Sequence, residues 1–155
     1  MPALAYKTPL YYDCLSENEK KSITELSSDT CIIRYGDETN YFIRCVMLQD
    51  ILFHEEKLNY GLWVSLSEQS FYDYMNNYDD KEREGKYFGW ISNNLIGYDK
   101  TIEIPTDVVL GQNGNRPEVI PHKSFNHPFI NDYYKGISLE EAHNRIAQIL
   151  NKKIP

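Results

Sequence analysis

Thr30-Cys31-Ile32-Ile33-Arg34-Tyr35-Gly36-Asp37-Glu38-Thr39-Asn40-Tyr41-Phe42-Ile43-Arg44-Cys45-Val46-Met47-Leu48 is the stretch whose reading decides the fold. Two β-rich runs, Thr30 to Tyr35 and Tyr41 to Leu48, flank Gly36-Asp37-Glu38-Thr39-Asn40, and a short loop holding a glycine between such runs is a hairpin signal. A symmetric loop sets Tyr35 opposite Tyr41 and, counting back, Cys31 opposite Cys45. Strand alternation then groups Cys31, Ile33 and Tyr35 with Ile43, Cys45 and Met47 on a core face. The other face, with Arg34, Arg44, Ile32, Phe42 and Val46, is mixed.

Downstream, Asn59 to Ser67 reads as a third strand, with Leu62, Val64 and Leu66 on one side and Gly61, Trp63 and Ser65 on the other. Ser67 is the expected N-cap of a helix from Glu68 to Tyr78, where Phe71, Tyr74, Met75 and Tyr78 form one stripe. Tyr87–Asn93, Thr101–Leu110 and Arg116–Ser124 follow as strands. Pro105 and Pro117 cannot donate ladder bonds and demote the last two to edge or bulged pieces. Asn113-Gly114 centres the turn Gly111–Asn115 between them. Upstream, Ser16 and Glu19 form a capping box for a helix reaching Leu26, with Ile23 and Leu26 inward. The first 15 residues, rich in Tyr and Pro, are expected to lie over the fold. Ser138 opens a last helix through a capping box with Glu141, running to Asn151 with Leu139, Ala142, Ile146 and Leu150 inward. The expectation is an α+β fold, a mostly antiparallel sheet of about six strands with three helices packed against it, because long βαβ crossovers are missing from the pattern. No linker or repeat breaks the chain, so residues 1–155 are expected to form one domain.

Composition narrows the partners. The chain has 155 residues, 16 Lys and Arg against 23 Asp and Glu, and a net charge of −7. An acidic chain without a basic stripe gains nothing from counterion release, which argues against nucleic acid. No apolar run approaches the roughly 18 residues of a membrane span, and Met1 to Pro9 lack a signal-peptide pattern. Three cysteines, an odd number without C-x-x-C spacing, suit a cytoplasmic protein. Thirteen Tyr, six Phe and two Trp suit half-buried strand faces or a binding surface.

The chemical motifs are weak. Cys31 and Cys45 lie in mid-strand among apolar residues, where thiols are buried and inert rather than nucleophilic. His54, His122, His127 and His143 match no metal-ligand spacing, so neither a metal nor another cofactor is expected. His127 before Pro128 reads as a turn residue whose imidazole bonds a nearby carbonyl. Ser65 and Ser67 lack the glycines of a nucleophile elbow. Asp79, Asp80, Glu82 and Glu84, interleaved with Lys81 and Arg83, form a solvated loop or an acidic docking patch. Tyr87-Phe88-Gly89-Trp90 either packs the core, the preferred reading, or lines a pocket that Gly89 lets a ligand approach.

Several blocks together resemble a known family. They include Leu26-Ser27-Ser28-Asp29-Thr30-Cys31-Ile32-Ile33, Tyr41-Phe42-Ile43-Arg44, Trp63-Val64-Ser65-Leu66-Ser67-Glu68-Gln69-Ser70-Phe71 and Tyr87-Phe88-Gly89-Trp90-Ile91. Leu95-Ile96-Gly97-Tyr98, Arg116-Pro117, His127-Pro128 and Gly136-Ile137-Ser138 extend the likeness, which spans Tyr11 to Leu150. It is similar to a bacterial family of unknown function numbered 2199. The resemblance implies no reaction, cofactor or catalytic residue. Many members of that family begin with a C-x-x-C pair that this sequence does not show.

Two functions are expected. The first is a non-enzymatic protein-binding domain, most concretely a bacterial immunity protein that covers a basic toxin domain with Asp79, Asp80, Glu82, Glu84 and Tyr98. The alternative is a small-ligand binder or an enzyme, with Arg44, Trp63, Tyr87, Trp90 and His127 around a pocket.

Overall fold

A computed structural model describes residues 1–80, 82–111 and 116–153. Among them the strands are β1 (Leu4–Ala5), β2 (Thr24–Leu26), β3 (Thr30–Tyr35), β4 (Glu38–Gln49), β5 (Leu58–Leu66), β6 (Lys86–Ile91), β7 (Pro105–Val109) and β8 (Glu118–Pro121). The helices are α1 (Leu10–Asp13), α2 (Glu17–Ser22), α3 (Glu68–Asn76), α4 (Pro128–Lys135) and α5 (Leu139–Lys153). The α+β class stands, but eight strands and five helices replace the expected six and three. Lys81 and, of the expected Gly111–Asn115 turn, residues 112–115 with the central Asn113-Gly114 lie outside the described residues.

β4 organises the sheet because it is long enough to hold three partners. Its first half pairs with β3, residue Val46 on the same edge meets Glu118 of β8, and the opposite edge pairs with β5 from Tyr41 to Gln49. β5 leads through β6 and β7 to β8, so β4-β5-β6-β7-β8 closes into a barrel, with β3, β2 and β1 as extensions. Most ladders are antiparallel, but the closure of β8 on β4 and the pairing of β1 with β5 are parallel. Proline does not confine β7 and β8 to an edge. Pro105 is the first residue of β7, Pro117 precedes β8 and Pro121 ends it, so the ladder between them keeps its donors.

The hairpin register differs from expectation. Tyr35 pairs with Glu38, leaving a two-residue turn of Gly36 and Asp37 in which Gly36 takes a φ of +53°. Cys31 therefore faces Phe42, and Cys45 faces Leu62. The slip from the expected pairing is odd, so it moves one strand's side chains to the opposite face. Tyr41, Ile43, Cys45 and Met47 fill the barrel interior with Leu62, Val64, Ile91, Val108 and Val119. Cys31, Ile33, Phe42 and Trp63 form a second core on the outside of β3–β5. The two thiols are free and on different faces.

The N-terminal segment covers that second core. Tyr6 bonds Gly61 through its backbone, and its carbonyl accepts the Trp63 indole N–H at 3.0 Å. Tyr11 stacks on Phe42 with centroids 6.0 Å apart. The capping box at Ser16 is present, but α2 ends at Ser22 and Leu26 is an exposed residue of β2. Ser67 caps α3, which buries Phe71 and Tyr74 and ends at Asn76, so Met75 and Tyr78 are exposed rather than part of the stripe. α4 was not expected. His127 builds it by accepting the Phe129 N–H on Nδ1 at 3.0 Å, while Nε2 donates to the Asp99 carbonyl at 2.8 Å. Pro128 then starts the helix, where its missing N–H is no loss. Ser138 caps α5 through the Glu141 N–H, but the Glu141 carboxylate turns to Arg145 instead of closing a box, and Leu150 is exposed.

Candidate functional site

Alternation along β6 divides its aromatic run. Tyr87, Gly89 and Ile91 point inward, while Phe88 and Trp90 point out and remain 45% and 37% exposed. This corrects the reading that packs all three rings in the core. The Phe88 and Trp90 rings meet edge to face with centroids 4.6 Å apart, and Phe88 meets His122 at 5.3 Å. Phe88 stands beside Asp107 of β7, which in turn stands beside Ile120 of β8. His122 Nε2 lies 2.9 Å from Asp107 Oδ1, and Lys86 approaches the same carboxylate at 3.7 Å. The outer surface of β6–β8 thus carries an exposed aromatic pair beside one charge cluster.

An open groove of about 390 Å³ runs beside Trp90, between Tyr41 and Leu66, with Asp37 and Glu68 on its rim. The indole forms one wall.

The expected acidic patch is exposed at Asp79, Asp80, Glu82 and Glu84. Asp79 and Asp80 border a cleft of about 140 Å³ that also holds Arg83 and Arg116. Those arginines are engaged by other carboxylates. Arg83 binds Asp73 and the Tyr87 hydroxyl, and Arg116 binds Asp29 at 2.8 Å. Burial and the Asp73 carboxylate push the Tyr87 hydroxyl up to about 12. Tyr98 does not join this patch through its contacts. It donates to Asp132 Oδ2 of α4 at 2.6 Å and carries the Arg145 guanidinium of α5 over its ring at 4.7 Å.

The five residues of the alternative pocket are spread over several surroundings. Arg44 and Trp63 are neighbours on the outside of β4 and β5, with Trp63 fully buried under Tyr6. Tyr87 points inward toward Asp73 and Arg83, Trp90 borders its open groove, and His127 caps α4. Arg44 carries a buried Nε without a hydrogen-bond partner, and desolvation with the nearby Arg116 charge lowers its pKa. Among the described residues no group of three or more His, Cys, Asp or Glu could hold a metal ion. No helix among them is long and apolar enough to cross a membrane.

Sequence reasoning missed two features. The outward pair Phe88 and Trp90 was legible in the alternation about Gly89. Arg145, only 3% exposed, bonds Glu141 at 2.9 Å and the Tyr60 hydroxyl at 3.0 Å. Its i,i+4 spacing from Glu141 was visible, but its burial depends on Tyr60 and Tyr98, distant in sequence.

No curated protein and no solved structure matches this chain. The model of a protein family described as "Uncharacterized protein conserved in bacteria (DUF2199)" matches residues 1–137, which takes in the barrel and α4 and stops short of α5. The chain belongs to this bacterial DUF2199 family.

Proposed function

We propose that this chain is a non-enzymatic protein-binding domain that engages its partner through the outer face of β6–β8, with Phe88 and Trp90 as anchors. The observation that carries the reading is the outward placement of these two rings, set edge to face beside a barrel interior that is filled by other side chains. Large aromatics supply interface energy out of proportion to their number. The net charge of −7 and the exposed carboxylates at Asp79, Asp80, Glu82 and Glu84 favour a basic partner. Within this class, the concrete reading is a bacterial immunity protein that covers a basic toxin.

The test is recovery of partners from the native bacterium on the tagged chain, alongside a Phe88→Ala/Trp90→Ala variant. A basic protein that binds the wild type and loses roughly 30-fold or more affinity for the variant supports the reading, at the hot-spot scale of about 2 kcal/mol. Rescue of cells expressing that protein, by co-expression of this chain, supports the immunity function. Equal recovery on both baits refutes it. A second reading, a small cationic ligand, is favoured by the Trp90 groove with Asp37 and Glu68 on its rim. It predicts indole quenching by a simple organic cation with no protein partner.

A further inference from the structure

The turn between β4 and β5 carries a side chain that the fold does not use. Phe53 is 105% exposed, as open to water as in an extended chain. Its φ is +59°, in the left-handed region where a bulky side chain is an outlier. The turn around it is firmly held. Leu52 N donates to Ile137 O at 2.8 Å, Ile137 N donates to Asp50 O at 3.1 Å, and His54 N donates to Ile51 O at 3.2 Å. His54 Nδ1 accepts the Glu56 N–H at 3.1 Å. The Leu52 side chain sits where any Cβ on Gly136 would come within 3.0 Å of it. Leu52 thus lies against Gly136 while staying 45% exposed, and the next residue is thrown outward from a backbone that these hydrogen bonds hold.

Glycine or asparagine would adopt this backbone at little cost. Phenylalanine incurs backbone strain and leaves its whole ring in water. Strain maintained at an exposed aromatic is the mark of a group built to meet something else. The charges around it indicate what. Lys57 is paired with Asp50 at 3.3 Å and Glu56 with the N-terminal amine, while Glu55 adds another carboxylate to a chain already at −7.

We propose that Phe53 is a preformed plug that inserts into an apolar pocket rimmed by Lys or Arg on a protein partner. This rests on the protein-binding reading but uses a different surface. Phe53 follows the Gln49–Leu58 end of the β4–β5 ladder, whereas Trp90 pairs with Ser65 near the other end. A second copy of this chain would bring −7 against −7, and an anionic lipid surface would repel the turn in the same way.

The experiment places a photo-crosslinking benzoyl-phenylalanine at position 53, and separately at position 88, of the full chain in its native bacterium. The expected result is a covalent adduct at 53 with a protein of basic surface. That protein, purified, is then the probe. Phe53→Asn should weaken its binding roughly 30-fold or more and, by relieving the backbone, raise the urea midpoint of the chain itself. An adduct at 53 with a second copy of this chain, with lipid or with an acidic protein overturns the proposal, as does unchanged affinity of Phe53→Asn. A partner captured at 88 but not at 53 overturns it and leaves the protein-binding reading standing. Capture at neither position overturns both.

Discussion

Gly89→Ala tests whether the glycine of the aromatic run serves the barrel or a ligand. A Cβ on Gly89 would lie 3.0 Å from the Ser65 carbonyl oxygen, 3.0 Å from Val108 Cγ2 and 3.2 Å from Leu66 Cδ2. Two of these are side-chain methyls that can turn aside by a few tenths of an ångström. The third is backbone in β5, which is paired with β4 on its other edge and cannot withdraw without stretching that ladder. Overpacking a core in this way costs up to about 3 kcal/mol. Against it stands a gain of about 0.4–1 kcal/mol, because alanine reduces the entropy of the unfolded chain. The net loss is then about 2 kcal/mol, a fall in Tm of roughly 4–8 °C for a domain of this size. Urea unfolding and calorimetry read it directly. In a Val108→Ala background one contact is gone, so the cost of Gly89→Ala should shrink by at least about 0.5 kcal/mol. If Gly89→Ala is as stable as the wild type, the close approach of β5 is not what the glycine serves, and the reasoning fails.

Three further predictions follow from the buried groups. Burial pushes the Cys31 thiol up to about 12 and the Cys45 thiol higher still, whereas Cys14 is exposed, so an alkylating reagent should take one thiol in the native chain and three in urea; fast reaction of two native thiols contradicts the packing. Arg145→Met leaves Glu141 and Asp132 without their cation, and since both carboxylates can turn to water the loss should be about 2–3 kcal/mol by urea unfolding, below the range for a fully buried pair. Arg145→Lys should recover only part of it, because an ammonium cannot fork to Glu141 and Tyr60 together. Desolvation raises the Asp29 pKa, but Arg116 and Tyr78 more than offset it and hold the carboxyl below its ordinary value. A depressed folded pKa contributes stability that is present above about pH 3.9 and is lost as pH falls through the folded value. Arg116→Met should therefore flatten the acid limb of stability below about pH 4 and leave its slope between pH 5 and 8 unchanged; an identical acid limb refutes the pairing.

What could be read from the sequence was local. The alternation of Leu62, Val64 and Leu66 against Gly61, Trp63 and Ser65 appears in β5 as expected, and Ser16 and Ser67 cap the helices assigned to them. Glu38, Thr39 and Asn40 deceive because their polarity resembles a loop. They are strand residues at the outer end of β4, where the ladder with β3 runs beyond the barrel and half-exposed polar side chains are tolerated. Counting them as loop displaces the register by an odd number, and every inference about which cysteine faces which aromatic then inverts. Barrel closure was illegible for a different reason. It depends on the parallel approach of Val46 to Glu118, with Val46 N bonded to Pro117 O at 2.9 Å, and no nearby residue pattern encodes a joint between such distant positions. The candidate site was hidden by the same limit. Phe88 and Trp90 look like core residues until the closed barrel shows that the interior beside Gly89 has no room for them.

That crowding is the reason the proposed binding surface is placed on the outside of the barrel. Ser65 and Val108 close over Gly89 from two sides, so the barrel has no space there for a substrate, and the second core beneath Tyr6 and Tyr11 is equally filled. The rings left in water carry the apolar surface still to be buried. An aromatic of roughly 200 Å² that is about two-fifths exposed leaves some 80 Å² outside, worth about 2 kcal/mol when covered. Phe88 and Trp90 together thus hold about 4 kcal/mol, and Phe53, which is wholly exposed, adds a share of its own. In the proposed complex the charge of −7 would do different work, hastening encounter with a basic surface and fading with salt, whereas the rings would govern how long the complex lasts. On the proposed reading, aromatics at both ends of the β4–β5 ladder with carboxylates around them would grip a broad, positively charged partner, whereas the cationic-ligand reading would use the Trp90 groove alone.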